Sequence, residues 1–204
     1  QDFAQGKMKP EYKDDDASIE NLPVARRDLQ KKFGYAAPHT VFATRGCKGN
    51  CEFCSVVAAN YGWKKRPVHE VIDELKQMKV KRVAFNDVNL TEDVAYAKEL
   101  FTAMIPLKIE WGGLASTRVV KDEELLELLS KSGCGYLLLG FESVNNTNLR
   151  GINKTFNKFE EYQHVVDTLH RYNIVIQGCF IFGMDGEDHN VFKETVDVIQ
   201  DLKI

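Results

Sequence analysis

The chain has 204 residues, 44% of them hydrophobic and 28% charged, with a formal net charge of −3. This composition fits one globular domain with a sizeable apolar core. The mild acidity removes any electrostatic case for wrapping nucleic acid, and no apolar run approaches the roughly 20 residues of a membrane-spanning helix. Five cysteines, an odd number with three crowded together, argue against a disulfide framework and for a reducing, cytoplasmic setting. The first residue is Gln1 rather than Met, so a piece of a longer chain is expected.

Residues 1–38 show little periodicity. The run from Lys9 to Asp16 is charged and carries a proline, and the whole segment reads as a lead-in or linker. Leu22 to Leu29 is compatible with a turn and short helix lying against the following domain, or with a surface linker.

From His39 to the end, a core spanning 39–204, two patterns alternate. Runs of β-branched or aromatic residues fall near 39–45, 81–86, 107–114, 135–141 and 174–182, and helical stretches near 67–79, 91–104, 121–132, 156–172 and 188–202. Leu125, Leu126, Leu128 and Leu129 give the paired apolar positions of one helix face, which Gly133 ends. Thr91 and Asp122 are placed to cap the second and third helices. The last run, Ile174 to Phe182, is nearly all apolar, as a strand buried on both faces should be. Strands alternating with helices of this length require right-handed crossovers and a parallel sheet. Five such units are visible. A closed eight-unit barrel takes about 250 residues, so the chain is too short for one; a flavodoxin-like open sheet would also suit.

The loop after the first strand reads Cys47-Lys48-Gly49-Asn50-Cys51-Glu52-Phe53-Cys54. Thiolates are soft ligands for zinc or iron–sulfur clusters. A closed structural site normally takes four protein ligands, and neither His39 nor His69 has a familiar zinc spacing. Three close cysteines therefore point to a cluster with one metal position left for another molecule.

Cys47, Cys51, Phe53 and Cys54, preceded by Thr44-Arg45-Gly46, resemble the C-x3-C-x-aromatic-C signature of the radical S-adenosylmethionine (SAM) enzymes. The resemblance implies a [4Fe–4S] cluster held by Cys47, Cys51 and Cys54, with SAM chelating the fourth iron and Phe53 near the adenine. It also implies a partial (β/α) barrel, typically of six units, of which five are visible here, so the core is expected to be incomplete at its C-terminal side.

In parallel β/α folds, ligands gather at the carboxyl ends of the strands. Strand two ends in Phe85-Asn86-Asp87-Val88-Asn89. By resemblance this is where the SAM amino group is received, with Asn86 and Asp87 the nearest match; a polar helix-initiating turn is the alternative. Strand three ends in Ser116-Thr117-Arg118, and a hydroxyl with a guanidinium fork can hold a carboxylate. Ser116 and Arg118 are candidates for the methionine end of SAM or a substrate acid, although Arg118 also suits an exposed ion pair.

Strand four leads into Gly140-Phe141-Glu142-Ser143. A carboxylate behind an apolar strand is costly to bury without a partner, and a ribose diol would supply one. The segment resembles the family's Gly-x-Glu-Ser ribose contact. Strand five runs into Phe182-Gly183-Met184-Asp185-Gly186-Glu187, similar to a family segment that flanks the adenine, which makes Ile181 and Gly183 its expected neighbours. Cys134 and Cys179 read as small buried hydrophobes rather than ligands.

The resemblance runs from residue 38 to 204. With Asn153-Lys154-Thr155-Phe156-Asn157 and the Leu22-Pro23…Arg27-Asp28 stretch, it is nearest the branch that carries an amino-terminal cobalamin domain, whose members methylate carbons or rearrange and cyclise substrates. Cobalamin is implied only for a longer parent. The expected function is reductive cleavage of SAM to a 5′-deoxyadenosyl radical acting on a small-molecule substrate, with electrons from a donor such as flavodoxin or ferredoxin. The alternative is a cluster-bearing binding or electron-transfer module. A ribose-binding Glu142 separates the two, because an electron carrier has no use for it.

Overall fold

In chain order the strands are β1 (Thr40–Val41), β2 (Thr44–Arg45), β3 (Lys64–Lys65), β4 (Arg82–Phe85), β5 (Glu110–Ala115), β6 (Cys134–Glu142) and β7 (Val175–Phe180). The helices are α1 (Ser55–Ala58), α2 (Val68–Met78), α3 (Val94–Met104), α4 (Glu123–Lys131), α5 (Asn146–Gly151), α6 (Tyr162–Arg171) and α7 (Val191–Leu202). These elements come from a computed structural model that describes residues 2–10, 18–31, 33–35, 37–59 and 62–204. The charged stretch read as linker at 11–16 lies outside them.

Five strands pair in the order β1-β4-β5-β6-β7, every pairing parallel. This is the expected α/β sheet with helical crossovers. Alternation along each strand separates two faces. Val83 and Phe85, Trp111, Leu137 and Leu139 are buried on the helical side. There Trp111 packs edge-on to Phe85 at 5.3 Å and stacks on Phe101 of α3 at 4.9 Å. Each fully buried ring of this kind contributes on the order of 2–3 kcal/mol. The opposite, concave face carries Ala84, Asn86, Gly112, Leu114, Tyr136 and Leu138, which line an open cavity of about 720 Å³.

The helices arise where the apolar spacing places them, with ends set by caps. Asp122 accepts from Leu125 N at 2.9 Å and starts α4, and Gly133 follows its end with φ +95°. At α3 the expected Thr91 cap is replaced by Asp93, which accepts from Tyr96 N at 3.0 Å. Thr91 instead donates its hydroxyl to Asn89 Oδ1 at 3.1 Å.

Three further expectations change. The first strand is not continuous over 39–45: it breaks after Val41, and Thr44–Arg45 pairs antiparallel with β3. Asp87 takes the Ala43 and Thr44 amides, drawing the chain out of the sheet. β7 is not buried on both faces. It is the sheet's edge, and Val175 is 62% exposed. The helix read over 156–172 starts only at a 3-10 turn, Phe159–Glu161, before α6, because Asn157 is engaged elsewhere.

Part of the lead-in is docked on the domain. Ile19 is buried, Asn21 N donates to Glu70 Oε1 at 2.8 Å, and Arg27 donates to Thr40 O and Glu74 Oε1, both at 2.6 Å. Glu74 also pairs with the buried Arg66 at 2.7 Å, and Arg66 holds Phe42 O at 2.9 Å. This network pins the root of the cysteine loop to α2.

Candidate functional site

The cysteine loop leaves β2 through Gly46, whose φ is +78° and whose Cβ position would run into the Gly62 carbonyl. Only glycine fits so close an approach. Its root is fixed by Asp87: the carboxylate accepts from Ala43 N at 3.1 Å, Thr44 N at 2.5 Å and Thr44 Oγ1 at 2.7 Å. Burial raises the Asp87 pKa to about 6 against these donors, which act to lower it.

Cys47, Cys51 and Cys54 are free, half-buried thiols. Cys47 Sγ accepts from Gly49 N at 3.2 Å and lies 3.8 Å from Glu92 Oε2, which in turn accepts from Asn89 Nδ2 at 2.6 Å. Burial pushes the Cys47 thiol up, the Gly49 amide opposes this, and Glu92, Cys51 and Cys54 add to the rise. Burial likewise raises Cys51, with Lys154 opposing. The three thiols are thus close enough to act on one another electrostatically. No three His, Cys, Asp or Glu among the described residues converge on a point suited to one ion. A cubane cluster instead offers each thiolate its own iron, and soft, close, unpaired thiols fit that group.

The loop is latched from the far side of the sheet. Glu52 N donates to Ile152 O, and Asn153 Nδ2 to Asn50 O, both at 3.1 Å. Both partners sit just past α5, a short helix the sequence did not reveal. Asn145 caps it by accepting from Thr147 N at 2.7 Å.

Behind this latch lies Glu142, 6% exposed, at the end of β6. It was expected to need a ribose as partner. The structure supplies one from the protein: Lys154 Nζ reaches Glu142 Oε1 at 2.5 Å. Oε2 takes no donor among the described residues. A Cβ on Gly140 would collide with the Glu142 carboxylate and come within 2.6 Å of Lys154 Nζ. Glu142 has φ +68°, and the register slips beside it, Gly140 facing Cys179 and Glu142 facing Phe180. A non-glycine residue there costs roughly 1–2 kcal/mol, which surrounding contacts must offset. Lys154 also lies 5.9 Å from the Phe53 ring and 5.6 Å from Phe156, and Arg118 stacks on Phe156 at 4.2 Å.

The structure therefore gathers Cys51, Phe53, Glu142, Lys154, Phe156 and Arg118 at one corner of the sheet's carboxyl edge. Asn86 is on the cavity face, and half-buried Ser116 follows β5. Asp87, one residue on, points the other way into the loop root. Ile181 N donates to Glu142 O at 2.8 Å. Gly183 N and Met184 N donate to Glu187 Oε2 at 2.7 and 3.1 Å, and Asn148 of α5 donates to Glu187 Oε1 at 2.8 Å. Cys134 is buried, and burial raises its pKa to about 12; Cys179, expected to be buried, is only half-buried and near enough to Glu142 and Lys154 to be affected by both. Lys154 is the side chain beside Glu142 that reading the sequence missed. Its signal was a lone lysine in the polar Asn153–Asn157 stretch, with nothing local to pair it to Glu142.

A parallel β/α sheet with a three-cysteine loop and a buried carboxylate at its carboxyl edge defines a cluster-binding partial barrel. The radical SAM superfamily profile matches residues 41–199, and the chain belongs to that family. Over its full length it is 33% identical to bacteriochlorophyllide d C-12(1)-methyltransferase of Chlorobaculum tepidum, covering 47% of that protein. It is 28% identical, over 77% of its length, to cytidylyl-2-hydroxyethylphosphonate methyltransferase of Streptomyces wedmorensis, covering 32% of it. Among solved structures, the radical SAM methyltransferase TsrM of Kitasatospora setae, with cobalamin and a [4Fe–4S] cluster bound, superposes with a TM-score of 0.73. The match has 20% identity and covers 81% of this chain and 34% of that one. The chain spans less than half the length of these curated relatives. Among the described residues no helix is long and apolar enough to cross a membrane.

Proposed function

We propose that this chain is the radical-generating core of an enzyme that cleaves SAM on a [4Fe–4S] cluster. When bound, cluster and SAM supply a 5′-deoxyadenosyl radical. The protein's part is to bind, orient and exclude water. Cys47, Cys51 and Cys54 hold the cluster, and Phe53 flanks the adenine together with Ile181 and Gly183. Asn86, the member of its pair that faces the cavity, takes the amino group. Asp87 holds the loop root. Ser116 and Arg118 stand at the methionine end. Glu142 takes the ribose through the oxygen that Lys154 leaves open, while Lys154 fixes the carboxylate's place. The concave cavity of about 720 Å³ receives a small-molecule substrate, and a flavodoxin or ferredoxin supplies electrons. Methyl transfer assisted by cobalamin, in a longer parent, is the reaction favoured by the two methyltransferase relatives.

The observation that carries this reading is the Glu142 carboxylate beside the cysteine loop, which an electron carrier would not need. The test is titration of SAM into the reconstituted protein, by calorimetry and by paramagnetic resonance of the reduced cluster. SAM should perturb the spectrum, and Glu142→Ala should weaken binding about ten- to a hundredfold with the cluster intact. An unperturbed spectrum returns the chain to the electron-transfer reading.

A further inference from the structure

The bulge that carries Glu142 is held from outside its strand by buried side chains. Tyr162, at the start of α6 and 1% exposed, directs its hydroxyl at the carbonyls of Phe141 at 2.7 Å and Ser143 at 3.0 Å. Asn157, 3% exposed, donates Nδ2 to the carbonyls of Gly140 at 2.9 Å and Phe141 at 3.1 Å. Its Oδ1 accepts from Thr117 Oγ1 at 2.6 Å; because carbonyls only accept, the Nδ2 end of the amide must face the bulge.

A bulge disrupts the ladder and leaves backbone groups without strand partners. Here the carbonyls on either side of Glu142 take side-chain donors, while Glu142's own carbonyl keeps its bond to Ile181 N. A side chain leaves a left-handed backbone in a different direction from an extended one. Holding carbonyls 140, 141 and 143 therefore holds the direction in which the Glu142 carboxylate points. The Tyr162 ring is separately anchored on Phe141, at 4.7 Å edge to face, so removing its hydroxyl leaves the packing in place.

We propose that Tyr162 and Asn157 are positioning residues for SAM binding, acting through the backbone of Glu142 and making no contact with the ligand themselves. The inference rests on the assignment of Glu142 to the ribose.

The experiment is a double-mutant cycle read by SAM titration of the reconstituted protein, with cluster content measured in each variant. Tyr162→Phe alone should raise the SAM dissociation constant about fivefold, the worth of one neutral hydrogen bond, with cluster content unchanged. In the Glu142→Ala background the same change should alter affinity less than about twofold, since coupled residues are not additive. An equal loss in both backgrounds overturns the inference, as does no loss in the otherwise native protein. If Tyr162→Phe lowers cluster content, Asn157→Ala in the same cycle decides by the same criteria. Glu142→Ala alone, with unchanged affinity, overturns the ribose assignment and this inference together. A cycle that fails while Glu142→Ala weakens binding overturns the inference only.

Discussion

Lys154 Nζ and Glu142 Oε1 stand 2.5 Å apart with only 10% and 8% of their side chains exposed, twelve residues from each other in sequence. Removing one member of such a pair strands the other charge out of water. Lys154→Ala is therefore expected to lower unfolding free energy by about 3 kcal/mol. Lys154→Met combined with Glu142→Gln should cost far less, because no lone charge remains. Denaturant unfolding of the single and double variants checks this; a double variant as unstable as Lys154→Ala would show that the charge pairing is not the cause.

The three thiols of one loop should behave as a set apart from the other two. Alanine at Cys47, Cys51 or Cys54 is expected to abolish the brown chromophore after anaerobic reconstitution or cut it sharply. Cys134→Ala and Cys179→Ala should keep it. Iron and sulfide content per chain is the measurement, and cluster loss in either of the last two would refute the three-ligand assignment.

Asp87 gives the loop root a pH dependence with a definite sign. Its pKa is raised to about 6 by burial, above the ordinary 3.8. The folded chain therefore binds more protons than the unfolded chain between about pH 4 and 6. Asp87's contribution to stability is fully present below pH 4 and is lost as pH rises through 6. Relative to Asp87→Asn, the native protein should gain stability on acidification across that window, by on the order of 2 kcal/mol. Unfolding curves at pH 6, 5 and 4 for both proteins measure it, and parallel curves would exclude the effect.

Asn153 holds the cysteine loop through one bond to Asn50 O. Asn153→Ala should speed cluster loss to a chelator about fivefold without changing the initial cluster content, as the deletion of one hydrogen bond predicts. Decay of the chromophore under excess chelator is the readout.

The helices, the parallel sheet and the cysteine loop were legible because each writes itself locally. Leu125, Leu126 and Leu129 carry their own period, and Asp122 sits where a cap must. The break after Val41 was not legible, since it depends on Asp87 reaching back 43 and 44 residues for two amides. The alternation of β4, carried one residue past its end, could have told Asn86 from Asp87: Asn86 continues the cavity face of Ala84, while Asp87 turns to the loop root. α5 escaped because six residues, half of them Asn or Thr, carry no apolar stripe to find. Lys154 escaped for a different cause, since a lysine in a polar stretch reads as solvated until the fold sets it beside Glu142.

The bond from Asn153 to Asn50 closes a span of 103 residues. Contacts of that reach form only after the intervening chain has been laid down, because closing so large a loop costs entropy before any contact returns it. The cysteine loop can be latched only once β4, β5 and β6 are in register and α5 is in place. We therefore expect metal insertion to follow the folding of the sheet rather than drive it. Amide exchange on the metal-free chain should show the sheet protected and residues 47–54 opening far more readily, unlike a zinc finger, whose metal is the condition of its folding.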